Sequence, residues 1–157
     1  MFLSAAPVIS TKNTKNLFNG STRTMKNTPI KENHLYQKAY AKGKSAPGKY
    51  VAVYTLPDRQ NHRYVKADPC HRPVNRLGLT TGKKIGGAVV RSRARRLMRE
   101  AYRLIEDEGN LLHGNLIVIA ARAKIADASM PEVKKDLAWC LKRVGLIEKP
   151  KKEDEAQ

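Results

Sequence analysis

Between Lys83 and Arg103 the chain carries eight basic residues and one acid, a local charge of +7. A charge run of this kind is most often a solvated face, so its spacing decides what it means. At roughly 100° per residue, a helix from Ala88 to about Glu108 gathers Val90, Ala94, Leu97, Ala101, Leu104 and Ile105 into one apolar stripe. Arg91, Arg93, Arg95, Arg96, Arg99 and Arg103 take the opposite arc. Four of them, Arg91, Arg95, Arg99 and Arg103, form an i,i+4 row of one sign, and each such pair repels by a few tenths of a kcal/mol. Phosphates remove that repulsion, and the planar guanidinium fork can hold their oxygens in pairs. Lys83, Lys84, Gly86 and Gly87 set a basic turn ahead of the helix N-terminus, itself a favourable anion site. The glycines read equally well as loop residues. The chemistry legible here is phosphate binding.

Other chemistries find little support. A protein nuclease needs a carboxylate metal cluster or a paired acid and base. The acids Asp107, Glu108, Glu132, Asp136 and Glu148 fall in helix ends and tails, and His34, His62, His71 and His113 show no ligand spacing. Cys70–His71 is a single pair without partners. No catalytic residue and no protein-bound metal or cofactor is expected. A DNA reader would present Asn, Gln or Ser to base edges, whereas this helix offers almost only phosphate chemistry. A structural RNA-binding protein of the ribosomal type fits the charge and size equally well.

The elements that position this helix can be read on either side of it. Ile30 to Lys42 reads as a short helix bearing Leu35, Tyr36, Ala39 and Tyr40 and closing at Gly43. Tyr50 to Tyr54 is β-branched and aromatic, hence a strand. A polar connection from Pro57 to about Asn75 is long for a compact domain, so part of it pairs or it is a loop. Arg76 to Thr81 resumes as a strand, and the near-continuous apolar run Asn115 to Ala121 reads as a strand buried on both faces. Ser129 and Glu132 form a capping box. Val133, Leu137, Cys140, Leu141 and Val144 then recur at helical spacing up to Gly145, as in a plain packing helix.

The bulk numbers agree. The chain has 157 residues and a net charge of +17, one domain's length and a charge that favours a polyanionic partner. No apolar run approaches the roughly 20 residues of a membrane span, so no membrane partner is expected. Two cysteines, Cys70 and Cys140, make no disulfide framework and read as reduced thiols of a cytoplasmic protein. Met1 to Ile9 lacks the basic region of a signal peptide. Residues 1–24 are expected to be a disordered extension, with Met25 a candidate functional start. The RNA-binding domain is placed at residues 25–147 and a charged tail at 148–157.

The run Lys83-Lys84-Ile85-Gly86-x-Ala88-Val89-x-Arg91-x-Arg93-x-x-Arg96-x-x-Arg99-Glu100-Ala101 closely resembles the signature of the bacterial ribonuclease P protein subunit. Tyr36 to Tyr40 with Gly43 resembles that family's aromatic N-terminal helix. Tyr50 to Leu56 resembles its first strand, Arg76 to Thr81 the strand feeding the signature, and Ile117 to Arg122 the later strand with its trailing arginine. The resemblance covers about Ile30 to Ile147. Ser92 stands where the family has Asn, Arg95 where lysine is usual, and Gly87 where a polar residue is common.

That resemblance implies an α/β (α+β) two-layer sandwich, ribosomal protein S5 domain 2-like. It implies a four-stranded sheet, an N-terminal helix, a central arginine-rich helix in a left-handed βαβ crossover, and a C-terminal helix. It implies a subunit of the endoribonuclease that removes the 5′ leader of precursor tRNA, with the catalytic centre in the RNA subunit and magnesium in the holoenzyme. The RNA-contacting set would be Lys83, Lys84, Arg91, Ser92, Arg93, Arg95, Arg96, Arg99 and Arg103. Tyr36, Tyr40 and Tyr54 would line a leader cleft, although the residues themselves leave open whether these tyrosines are core. The implied partners are the ribonuclease P RNA and the leader, with no obligate protein partner.

Overall fold

The computed structural model describes residues 27–67 and 71–148. Residues 1–24, Met25, Cys70 and the tail beyond Glu148, for which expectations were stated, lie outside the described residues.

Five strands form one mixed sheet in the order β1-β4-β5-β3-β2. They are β1 Asn27–Pro29, β2 Lys44–Pro47, β3 Val51–Pro57, β4 Asn75–Thr80 and β5 Asn115–Ala121. Four helices accompany them: α1 Asn33–Lys42, α2 Asn61–Ala67, α3 Ala88–Asp107 and α4 Met130–Arg143. Single turns of 3-10 helix, Lys83–Ile85 and Ala123–Asp127, follow β4 and β5. β4 and β5 are parallel neighbours joined through α3, while β5 pairs antiparallel with β3 and β3 with β2.

The sheet has five strands where the resemblance implied four, a correction with a local cause. β1 is three residues, Asn-Thr-Pro, and pairs with β4 through backbone alone. Its composition carries no strand signal. The first helix is also shorter than expected: Ile30 is not helical but extends the β1 segment, its N–H bonding the Leu77 carbonyl at 3.0 Å. The 57–75 connection contains α2, and so is neither a bare loop nor an added strand.

Side chains alternate across the sheet, and the two faces differ. Val51, Val53, Leu77, Ile117 and Ile119 point to the face covered by α3 and α4 and are sealed there with Ala94, Met98, Tyr102, Val133 and Leu137. Within this core Asn75 donates to the Tyr102 hydroxyl at 3.2 Å and to the Leu112 carbonyl at 2.9 Å. Burial pushes the Tyr102 hydroxyl well above its ordinary range, so it stays a neutral hydrogen-bonding group. α4 starts at the expected capping box, Ser129 with Glu132. Its Cys140 is a buried free thiol, pushed up to about 12 first by burial and then by the Asp136 carboxylate.

On the other face, Leu35 and Ala39 of α1 cover Leu116 and Val118 in a smaller cluster flanked by Tyr36, Tyr54 and Leu56. α2 closes the adjoining end of that face. Arg76 of β4 is 2 % exposed there, its guanidinium 3.5 Å from the equally buried Asp58 carboxylate and 5.2 Å from the Tyr64 ring centroid.

Candidate nucleic-acid interface

α3 forms because its apolar residues recur at helical spacing and no acid interrupts its first three turns. The stripe it buries is Ala94, Met98, Ala101, Tyr102 and Ile105. It is rotated from the expected one: Val90, Leu97 and Leu104 are only half-buried, and Met98 and Tyr102 take the deep positions. The bulkier side chains fill the space between sheet and α4 that two more leucines at the stripe's other edge would leave open.

This rotation sorts the arginines. Arg95, Arg96 and Arg99 are exposed and have no hydrogen bond or ion pair among the described residues. Ser92 is exposed beside them. Arg91, at the edge of the stripe, is half-buried, with its Nε–H shielded and without a partner. Arg103 lies 2.6 Å from the Glu100 carboxylate, so the last rung of the ladder is neutralised within the helix. Arg93 turns away from the row, donating to the Ala126 carbonyl at 2.6 Å and the Ala128 carbonyl at 3.1 Å. It fastens α3 to the turn after β5.

Lys83 and Lys84 are exposed on the 3-10 turn ahead of α3, whose first backbone N–H groups face the same end. Gly86 makes that approach possible: its φ is +142°, a conformation rare for residues with side chains. The N-cap Gly87 offers no side-chain hydrogen bond, so the first N–H groups of the helix are left without a side-chain cap.

The three tyrosines meet across the opposite sheet face. Tyr40 and Tyr54 stack edge to face, with ring centroids 4.7 Å apart at 79°. The Tyr40 hydroxyl lies 3.0 Å from Thr80 Oγ1, and the ring is 42 % exposed. Tyr36 is half-buried and donates its hydroxyl to the Ile30 carbonyl at 3.3 Å. Burial, then its neighbour Tyr40, raise its phenol above the ordinary value. Its ring packs against Gly78, where a Cβ would stand 2.5 Å from Cε1. Tyr36 is thus packed against the strand, and Tyr40 stands at the exposed edge of the tyrosine group.

β4 connects the two regions. Gly78 underlies Tyr36, Thr80 meets Tyr40, and the chain passes directly to Lys83 and Lys84. The carboxyl ends of adjacent parallel strands are where open α/β sheets bind ligands, and β4 and β5 end here. Gly78 and Thr80 escaped sequence reasoning, because their roles come from what stands above them. Arg122, just past β5, donates to the Gly48 carbonyl at 2.5 Å and braces the β2–β3 turn. Among the described residues no group of three or more His, Cys, Asp or Glu could hold a metal ion, and no helix is long and apolar enough to cross a membrane.

A helix with unneutralised arginines on one face of a mixed sheet, and an exposed tyrosine pair on the other, define a small basic α/β protein. Comparison with known proteins gives the family. A model of the family Ribonuclease P matches residues 25–145. The ribonuclease P protein component of Bacillus cereus is 38 % identical over 117 residues, spanning 74 % of this chain and 90 % of the relative. That of Caldanaerobacter subterraneus subsp. tengcongensis is 32 % identical over 121 residues, spanning 77 % and 92 %. The solved RNase P protein of Staphylococcus aureus superposes with a TM-score of 0.61 at 26 % identity, covering 76 % of this chain and 97 % of that one. The chain belongs to the ribonuclease P protein family.

Proposed function

We propose that this chain, as a ribonuclease P protein component, holds the catalytic RNA with its basic helix and the 5′ leader of precursor tRNA with its tyrosine cleft. The observation that carries the reading is the trio Arg95, Arg96 and Arg99, exposed and unpaired on α3, with Lys83 and Lys84 exposed on the turn that leads from β4 into the same helix. Charge left unneutralised in the folded chain is available to phosphates. Arg91 supplies a further donor at the edge of the same row. Ser92 brings a short hydroxyl, able to bond one phosphate or base edge where a carboxamide would reach two. Arg93 fixes the helix against the neighbouring turn, and Arg103 contributes once Glu100 releases it. Tyr40 and Tyr54 offer ring faces and edges to successive bases, which suits a leader of variable sequence because every base has a π-face. Tyr36 holds the floor beneath them.

Hydrolysis is assigned to the RNA subunit, where magnesium supplies the chemistry; this chain binds, orients and neutralises. The RNA-binding unit is residues 25–147, a span supported by the family match over 25–145, and the crossover from β4 through α3 to β5 takes the family's left-handed form. The work is cytoplasmic.

The test is a cleavage assay at low magnesium with a bacterial ribonuclease P RNA and precursor tRNA. The protein should restore cleavage at the mature 5′ end and do nothing alone. Binding of the RNA without stimulation of cleavage would replace this reading by a structural RNA-binding role.

A further inference from the structure

α4 faces the core with Val133, Leu137, Cys140 and Leu141. Its far side carries Lys135, Trp139, Lys142 and Arg143, all exposed. At the helical repeat these four fall within about 100° of one another. Trp139 is the chain's single tryptophan and is 48 % exposed. The Arg143 guanidinium lies 5.1 Å from its ring centroid. Lys135 and Lys142 have no carboxylate partner among the described residues.

The nearby acids are engaged elsewhere. Glu132 accepts from the Ser129 N–H and hydroxyl. Asp136 accepts the backbone N–H groups of Lys49, Tyr50 and Val51 at 2.7–3.1 Å, locking the β2–β3 turn onto α4. A single exposed aromatic is ordinary. One set among three cations, with no apolar neighbour on the same face, is poorly suited to an apolar partner and well suited to a stacked base flanked by phosphates.

We propose that the outer face of α4 is a second RNA-binding surface, where an unpaired base stacks on Trp139 and its phosphates lie on Lys135, Lys142 and Arg143. The inference rests on the reading of the chain as a ribonuclease P protein component and adds a contact to it. α4 lies beside α3 in one helical layer, with Lys134 Nζ 2.6 Å from Glu108 Oε1 at their junction. Both helices cover the same face of the sheet and the tyrosines the other, so one RNA can meet α3 and α4 without crossing the sheet.

Because Trp139 is the only tryptophan, its emission in the full-length chain reports this surface alone. The probe is a single-stranded oligouridylate of about ten nucleotides, its binding followed separately by anisotropy of an end label. Emission should be quenched along the same saturation curve, and a blunt duplex of equal length should quench little, its bases being already stacked. Trp139→Ala, or Lys135→Ala with Lys142→Ala and Arg143→Ala, should weaken the single strand by about 5- to 100-fold while leaving thermal unfolding unchanged. Full binding with silent Trp139 emission, or equal quenching by duplex, overturns the α4 surface. If that silent binding is lost on Arg95→Ala with Arg99→Ala, the wider reading survives without it; no binding of either RNA removes both.

Discussion

Under α3 and α4 the sheet presents Val51, Val53, Leu77, Ile117 and Ile119, none more than 8 % exposed, against two full-length amphipathic helices. Under α1 the same strands present Ala52, Tyr54, Thr80 and Ala120, all left half-exposed beside one ten-residue helix. The strands are shared, and only the parity of the residue differs. The sealed face supplies stability, and this lets the other face leave tyrosine edges and small residues open. Polar atoms follow the same division. Asn75 and Tyr102 satisfy each other inside the sealed core, whereas the Tyr40 and Thr80 hydroxyls pair at a solvent-exposed rim.

Beside the Leu116 and Val118 cluster under α1, the open face also buries a charge, Arg76. Asp58→Ala would leave that guanidinium without its counter-ion, and removing one partner of a buried pair costs about 3–5 kcal/mol. Urea unfolding should show a loss of that size, larger than any change at the rim; a loss below about 1 kcal/mol would make α2 an independent cover that Arg76 does not hold. Tyr40→Ala tests the rim itself. In the assembled enzyme it should weaken precursor tRNA by about 1–3 kcal/mol per stacked base and leave mature tRNA unchanged. Equal loss for both substrates would move Tyr40 into the structural role that Tyr36 holds.

The elements with strong periodicity were legible: α3, α4 with its capping box, and the apolar run of β5. Elements made by pairing alone were not. β1 and β2 are three and four residues long, and Ala46 is the one buried apolar side chain in either. Their signal lies in the partner strands. α2 buries only Asn61 of its own seven residues, and what holds it is Asn61 bonding both backbone groups of Val74 and Tyr64 lying against Arg76, contacts across more than ten residues. At the basic helix, residue type announced phosphate chemistry but could not sort the arginines. Arg93 and Arg95 look alike in sequence, yet one reaches carbonyls of a turn some thirty residues on and the other reaches solvent.

That pair offers a sharper test of where structure stops and recognition begins. Arg95→Ala should reduce the slope of log affinity against log salt for the RNA subunit by about 0.7–0.9, as one released counter-ion requires. Its effect on unfolding should stay within about 0.5 kcal/mol. Arg93→Ala removes two hydrogen bonds to carbonyls and should cost about 1 kcal/mol of stability, with a smaller change in slope. An identical slope change for both, with no difference in unfolding, would mean that the turn after β5 does not hold Arg93 in solution.

The smallest effect concerns the start of α4, at the border of the sealed face. Glu132 has its carboxyl lowered below the ordinary value, first by the Ser129 backbone N–H and then by the Ser129 hydroxyl, with Tyr50 adding a hydrogen bond from the strand side. A carboxyl depressed on folding contributes stability that is present above its unfolded pKa and is lost as pH falls through the folded one. The melting temperature of the native chain should therefore decline more steeply than that of Glu132→Gln between about pH 5 and pH 3, with the two curves parallel at neutral pH. Because the group is exposed, the difference is small and shrinks with added salt. Parallel curves throughout would mean that the cap holds α4 by hydrogen-bond geometry alone, with its charge contributing nothing.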